Sequence, residues 1–205
     1  MLNERTNHGH TNLDYWTGFY QQQKDLPPSL FAEFCLPKIS TSGKLLDLGC
    51  GNGRDARLFA SNGISVVACD QCEKATQDLL DIENIQVLNC NFLELPYKLP
   101  NPIFSTIYSR FSLHAVSEDV ALQTLKWCRT SLEPEGTLFI EVRSVLDELY
   151  GQGDAVARDA YQTDHFRRFI RQDELNETLV NLGFHIDTSV ISRGFAPFKS
   201  EDPMI

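Results

Sequence analysis

The stretch "LLDLGCGNGRDA", residues 45–56, decides the reading of this chain. An apolar run breaks into three glycines within five residues, and a charged, helix-like segment follows. Glycines so placed let backbone approach a ligand closely, because they adopt conformations that a Cβ forbids. Working outward, apolar and β-branched runs alternate with helical patterns along most of the sequence. Strands are expected at 44–48, 65–70, 85–89, 104–109, 137–142 and 185–193. Ala56, Phe59 and Ala60 share one helix face, with Gly63 as its left-handed stop. "EKATQDLLDI" predicts a second helix and "SEDVALQTLKWCRTSL" a third, whose apolar positions are Val120, Leu122, Leu125 and Trp127/Cys128. "DELNETLVNLGF" predicts a fourth, closed by Gly183. Alternation of this kind implies a Rossmann-like α/β fold: a doubly wound, mostly parallel sheet with helices on both faces. Ligands bind such sheets beyond the carboxyl ends of the strands.

The 205 residues are expected to form a single domain. Within it, residues 1–40, including "YWTGFY" and "PPSLFAEFCL", read as an N-terminal helical lid. Residues 41–142 form the ligand-binding core, and 143–170 are too long for a simple loop and suit substrate recognition. Residues 171–205 supply the last helix and strand. A formal net charge of −10 and a pI near 4.9 disfavour a protein that grips nucleic-acid phosphates. The chain has no apolar run long enough to span a membrane and no secretory signal in "MLNERTNHGHTNLDYW". The six cysteines read as reduced, buried thiols of a cytoplasmic protein. Cys69 and Cys72 form a C-x-x-C pair, but a zinc site needs two more ligands at such spacing, so no metal is expected.

Several ligand classes compete for the glycine stretch. A P-loop requires a lysine after the glycines, and none follows. The dinucleotide fingerprint G-x-G-x-x-G is met by Gly49 and Gly51, but Arg54 occupies its third glycine position and Gly53 comes one residue early. Asp70, at the end of the next strand, suits any ribose-bearing ligand. Asp47 separates the classes: a carboxylate at the strand tip repels a pyrophosphate and suits a cationic ligand without phosphate.

At this point Leu45-Leu46-Asp47-Leu48-Gly49-Cys50-Gly51-Asn52-Gly53 resembles, position by position, motif I of the class I S-adenosylmethionine-dependent methyltransferases, [VIL]-[LV]-[DE]-x-G-x-G-x-G. The resemblance covers roughly residues 15–195. "VVACDQCEKA" places Asp70 at the family's ribose position with Gln71 beside it, and "VLNCNFLEL" places Asn91, Phe92 and Leu93 at the adenine loop, where the family usually has Asp. "TIYSRFSLHAV" resembles the fourth-strand motif and brings Ser109 to the cofactor; "LEPEGTLFIEV" resembles the turn into strand five. The "GNGRDA" helix opening is shared with tellurite-resistance and thiopurine-type members, and residues 143–196 resemble small methyltransferases of surface-polysaccharide biosynthesis. The family's sheet ends in a hairpin of strands six and seven, and here the seventh strand is missing or truncated.

The resemblance implies in-line methyl transfer from S-adenosylmethionine, yielding S-adenosylhomocysteine. Expected cofactor contacts are Asp47, Gly49, Cys50, Gly51, Asn52, Gly53, Asp70, Gln71, Asn91, Phe92, Leu93 and Ser109. His114, just after strand four, is the candidate general base, and Arg110 the candidate holder of substrate or a loop carboxylate. Arg143, His165 and Arg168 are expected to bind an anionic group on a small-molecule acceptor. Tyr15, Trp16 and Tyr20 would close over the site. Neither nucleic acid nor membrane is an expected partner, and the expected state is monomer or homodimer. A nucleic-acid or protein methyltransferase, a non-catalytic S-adenosylmethionine-binding protein and a nicotinamide-dependent oxidoreductase are the alternatives.

Overall fold

A computed structural model describes residues 7–23, 26–198 and 201–205. Residues 1–6, 24 and 25 of the expected lid lie outside the described residues. Five parallel strands, β1 (Lys44–Leu48), β2 (Ser65–Asp70), β3 (Ile85–Asn89), β4 (Phe104–Arg110) and β5 (Leu132–Glu141), lie in the order β3-β2-β1-β4-β5. Alternate strand residues serve two cores. Leu45, Val66, Ala68 and Tyr108 pack against α2 (Leu30–Cys35) and α3 (Arg54–Ser61) on one face. Leu46, Leu48, Val67, Cys69 and Ile107 pack on the other, against α6 (Glu118–Ser131) and α7 (Gln172–Asn181). Burial on both faces explains the unbroken apolar runs of β1 and β2.

The first helix, α1 (Asn7–Gln22), lies at the α4 (Glu73–Thr76) edge of the molecule, where Thr17 Oγ1 sits 3.4 Å from Cys72 Sγ. The segment expected as one helix over 73–82 breaks after α4 into a tighter turn that carries Leu79 into the core, where a Cβ on Gly53 would strike it. A short α5 (Leu95–Lys98) follows β3. Ser117 caps α6 by accepting from the Val120 amide, and Glu118 and Asp119 suit the positive end of the helix. The buried face of α6 is Ala121, Thr124, Leu125 and Cys128, rotated from the expected stripe, with Val120 and Leu122 only half-buried.

Strand five begins earlier than expected, at Leu132. A shift in the pairing between Phe104 and Thr106 absorbs "EPEG", with Glu135 at φ 64°. The sixth strand expected at 185–193 does not form. A strand needs a partner ladder, and of this segment only Ser192 exchanges backbone hydrogen bonds, with Ile205.

The long segment after β5 folds into a second, antiparallel sheet that sequence patterning did not reveal: β6 (Asp154–Ala157), β7 (Ala160–Gln162) and β8 (Phe166–Arg168). Tyr150, Tyr161 and Phe169 meet edge to face as its own small core. The Arg168 amide donates to the His114 carbonyl, and Ile170 and Arg143 are joined through backbone. These bonds pin the small sheet over the carboxyl ends of β4 and β5.

Candidate active site

The loop after β1 carries three left-handed glycines, Gly49 (φ 81°), Gly51 (φ 55°) and Gly53 (φ 72°). The amides of Gly49 and Cys50 both donate to the Cys69 carbonyl, which holds the loop on the tip of β2. A Cβ at Gly49 would collide with Ser112, and one at Gly51 with the Tyr20 ring. The loop therefore approaches its neighbours as only glycine allows. Cys50 is buried, with its thiol on the Gly51 carbonyl and its pKa pushed up by burial. Asn52 Nδ2 donates to the Gln23 carbonyl at 2.7 Å, tying the loop to the end of α1.

Asp70 accepts from the Gly51 amide at 2.9 Å and from the Cys72 amide at 2.8 Å. Burial raises its pKa, and the backbone donors oppose that shift. Gln71 is exposed beside it. Asn91 Oδ1 accepts from the Leu93 and Glu94 amides, while Glu94 answers on the Asn91 amide. Asn91 thus serves as a cap of its own loop, and only its Nδ2 and remaining lone-pair capacity face outward. Phe92 is half-buried near Gly49, and Leu93 is exposed.

Two residues past Leu45, Tyr108 and Phe139 along their strands, side chains point to the same sheet face. There Asp47, Arg110 and Glu141 gather with Arg54 and Asp55. Arg110 Nε lies 2.7 Å from Glu141 Oε2, and burial raises the Glu141 pKa to about 7 against the pull of Arg110. Asp55 is buried and accepts from the Ser29 amide, the Ser29 hydroxyl and the Tyr108 hydroxyl. Asp47 is 3 % exposed, and its Oδ2 meets no hydrogen-bond partner among the described residues. Burial first, then the charges of Asp55 and Asp70, push its pKa well up. Ser109 is buried, and its hydroxyl is likewise without a partner among the described residues.

The acceptor side departs from expectation. His114 is buried, and its Nδ1 accepts the Arg143 amide at 3.1 Å. An Nδ1 that accepts leaves the ring proton on Nε2. His114 therefore presents a donor to the site, and the general-base role assigned to it from sequence does not fit this geometry. Burial, then Arg143, holds its pKa well below the usual histidine value. Arg143 is itself engaged, with Nη1 3.1 Å from both Asp147 oxygens and Nη2 3.1 Å from Glu201 Oε2. Arg168 donates to the carbonyls of Leu113 and Val116. His165 is buried, and burial with Arg167 lowers its pKa to about 4, so it is neutral near pH 7. Arg143, His165 and Arg168 thus hold up the site walls and do not form the cationic pocket expected.

The aromatic residues of α1 do close over this region. Tyr15 stacks on His165 at 4.0 Å and Trp16 stacks on Tyr20 at 5.8 Å, with Trp16 4.9 Å from His165. An aromatic ladder therefore runs from Gly51 to the small sheet. Sequence reading passed over Asp55, Ser29, Ser112, Glu141, Phe111 and Asp164. Phe111 holds a left-handed φ of 56° between Arg110 and His114, a strained conformation of the kind that gathers at functional sites.

A cationic, ribose-bearing ligand fits these residues. The unpartnered Asp47 oxygen offers a counter-charge and Asp70 a ribose acceptor, while the glycines let Ser112 and the Tyr20 ring close onto the loop between them. The methyltransferase-domain family model matches residues 20–189 of this chain. The chain is 25% identical to human mitochondrial ubiquinone biosynthesis O-methyltransferase, an alignment covering 76% of this chain and 45% of that protein. It thus spans less than half the length of this curated relative. Among solved structures it is similar to an S-adenosylmethionine-dependent methyltransferase from Methanosarcina mazei (TM-score 0.70, 16% identity, 88% and 94% of the two chains). It is also similar to the 1,6-didemethyltoxoflavin N1-methyltransferase of Burkholderia thailandensis, bound to its substrate and S-adenosylhomocysteine (TM-score 0.67, 19% identity, 90% and 80%). At these identities the structural likeness shows the fold.

Proposed function

This chain belongs to the methyltransferase-domain family, and from that premise we propose that it transfers the methyl group of S-adenosylmethionine to a small molecule. The observation that carries the reading is Asp47: a buried carboxylate with an unpartnered oxygen, at the tip of β1 beneath three left-handed glycines. It would repel a pyrophosphate and suits the ammonium of the methionyl group. Asp70 would accept from the ribose hydroxyls, and Phe92 with the outer edge of Asn91 would border the adenine. Arg110 and Arg54 complete the charge balance at the methionyl end, so Arg110 is a cofactor-side residue and not a holder of the acceptor.

S-adenosylmethionine supplies a methyl group on a sulfonium, a leaving group that needs no acid. The chain's contribution is placement. Residues 1–40 would act as the lid, 41–142 as the cofactor core, 143–170 as the acceptor wall and 171–205 as its support. Holding nucleophile and methyl in line at about 3–3.5 Å supplies roughly 7–11 kcal/mol of barrier reduction in good cases. Trp16 and Tyr20 exclude water from that contact.

The acceptor we infer is a compact ring-bearing molecule without a strong negative charge. Tyr15, Trp16 and Phe111 would line the approach; Arg110, Arg143 and Arg167 are paired with carboxylates, and Arg168 is held by backbone carbonyls. Among the described residues no helix is long and apolar enough to cross a membrane, and six buried free thiols suit a reducing compartment such as the cytoplasm. Calorimetry with S-adenosylmethionine, S-adenosylhomocysteine and NAD tests the reading. Both sulfur ligands should bind and NAD should not. Binding of NAD alone would overturn it.

A further inference from the structure

Behind the acceptor wall, on the sheet face covered by α6 and α7, lies a crevice of about 110 Å³. The small sheet, α6, α7 and the end of β5 enclose it, and Leu113, Leu122, Leu125, Ile140, Val142 and Leu175 give it an apolar floor. Six charged side chains border the same space. Four of them neutralise one another, because Arg158 pairs with Glu174 and Arg171 with Asp159. These pairs tie the small sheet to the start of α7. Arg168 is placed differently. Its Nε and Nη2 donate to the carbonyls of Val116 and Leu113, so the side-on edge of the guanidinium is taken. The end-on edge, Nη1 with the second Nη2 proton, meets no acceptor among the described residues. No carboxylate pairs with it there either, and Glu118, exposed at the start of α6, acts on it only through space. A half-buried positive charge thus stands beside an apolar floor with only carbonyl dipoles to balance it, and such a charge favours a counter-ion.

We propose that this crevice binds a small aliphatic monocarboxylate, its carboxylate on the end-on edge of Arg168 and its tail over Leu113, Leu125 and Leu175. Two parallel N–H···O bonds match a guanidinium edge to a carboxylate. A phosphate suits the crevice less, because its second negative charge would meet Glu118, Asp159 and Glu174 around the mouth. The volume limits the tail to roughly five carbons, since an apolar cavity of about 150 Å³ admits benzene. Binding braces β8, whose Arg168 amide donates to the His114 carbonyl, so the ligand steadies the acceptor wall from behind. The crevice is separate from the glycine loop, and the inference does not depend on the methyltransferase reading.

The test is calorimetric titration of the full chain with 4-methylpentanoate, with acetate and 4-methylpentylamine as controls. The longer carboxylate should bind saturably at one site per chain, acetate at least tenfold more weakly, and the amine not at all. Arg168→Met should weaken binding of 4-methylpentanoate at least tenfold. Glu118→Gln should strengthen it about twofold, by removing a like charge from the mouth. Amide hydrogen exchange over residues 166–170 should slow in the complex, which locates the ligand without any substitution. Should Arg168→Met fail to fold, the wild-type ligand series and the exchange map carry the same decision. Competition between 4-methylpentanoate and S-adenosylhomocysteine would put the carboxylate in the cofactor cleft and overturn the crevice assignment. No saturable binding below about 10 mM, equal binding of the amine, or an unchanged affinity in folded Arg168→Met overturns the proposal itself.

Discussion

Asp70 illustrates how one side chain joins loop geometry to ligand recognition. Its carboxylate accepts the amides of Gly51 and Cys72, so it shapes the glycine loop before any ligand arrives. Asp70→Ala should therefore weaken S-adenosylhomocysteine binding by about 1–3 kcal/mol, the usual cost of losing a charged hydrogen-bonding partner, as measured by calorimetry. An unchanged affinity would move the ribose contact elsewhere. Asp47 poses the opposite case, a carboxylate held without a full set of partners. Asp47→Asn should leave stability equal or higher, because a buried charge is removed, while S-adenosylmethionine affinity falls at least tenfold. Denaturant midpoints and calorimetry on the same samples separate the two effects. Both residues stand out in the sequence by their places at strand ends. What the sequence does not display is that Asn91 is spent on its own cap and Arg143 on Asp147 and Glu201. Hydrogen-bond partners 58 residues apart, as for Arg143 and Glu201, leave no local pattern.

Elements are joined here by a few buried polar contacts. Asp55 at the start of α3 takes the Ser29 cap of α2 and the Tyr108 hydroxyl of β4, linking three elements through one carboxylate. Asp55→Ala should lower stability by about 3–5 kcal/mol, the range for stripping a buried network of its charge, seen as a lower urea midpoint with unchanged slope. A loss below about 1 kcal/mol would show that water replaces the carboxylate. The lid offers a second prediction. Trp16 stacks on Tyr20 and meets the His165 ring at a tilt, whereas the other tryptophan, Trp127, lies on α6 against Phe104. Saturating S-adenosylhomocysteine should change intrinsic fluorescence, and Trp16→Phe should abolish the change. A response that survives in Trp16→Phe would exclude movement of α1. The aromatic cluster was legible in the sequence, but not its partner, because the small sheet carrying His165 has strands of only three or four residues.

Across the whole molecule, buried titratable groups of opposite sign set the pH response. Glu141 is raised from 4.5 to about 7 in the folded state. Its contribution to stability is full below pH 4.5 and is lost as pH rises to about 7. His165 is lowered from 6.5 to about 4, so its contribution is present above pH 6.5 and is lost as pH falls toward 4. The two slopes oppose each other between pH 4.5 and 6.5. In Glu141→Gln the falling contribution of Glu141 is removed, while the other buried groups titrate as in the wild type. The variant's stability should rise more steeply with pH than that of the wild type, by a difference of order 3 kcal/mol between pH 4.5 and 7 (2.5 pKa units at ~1.36 kcal/mol each). Urea midpoints at the two pH values decide this, and parallel curves would contradict it.

The sequence by itself determined the doubly wound core and the family. Apolar runs at 44–48 and 65–70, glycines at fixed offsets and one acidic residue at each strand end are local signals, read within a few residues of each other. The expected boundaries of β1, β2 and β3 match the structure for that reason. Only the tertiary structure decided the state of the acceptor side. Whether an arginine is free or paired, which nitrogen of a histidine holds the proton, and whether 185–193 finds a partner strand all depend on contacts between distant segments. Those contacts follow from packing, where charge and hydrogen-bonding capacity are shared out among whatever groups the fold brings together.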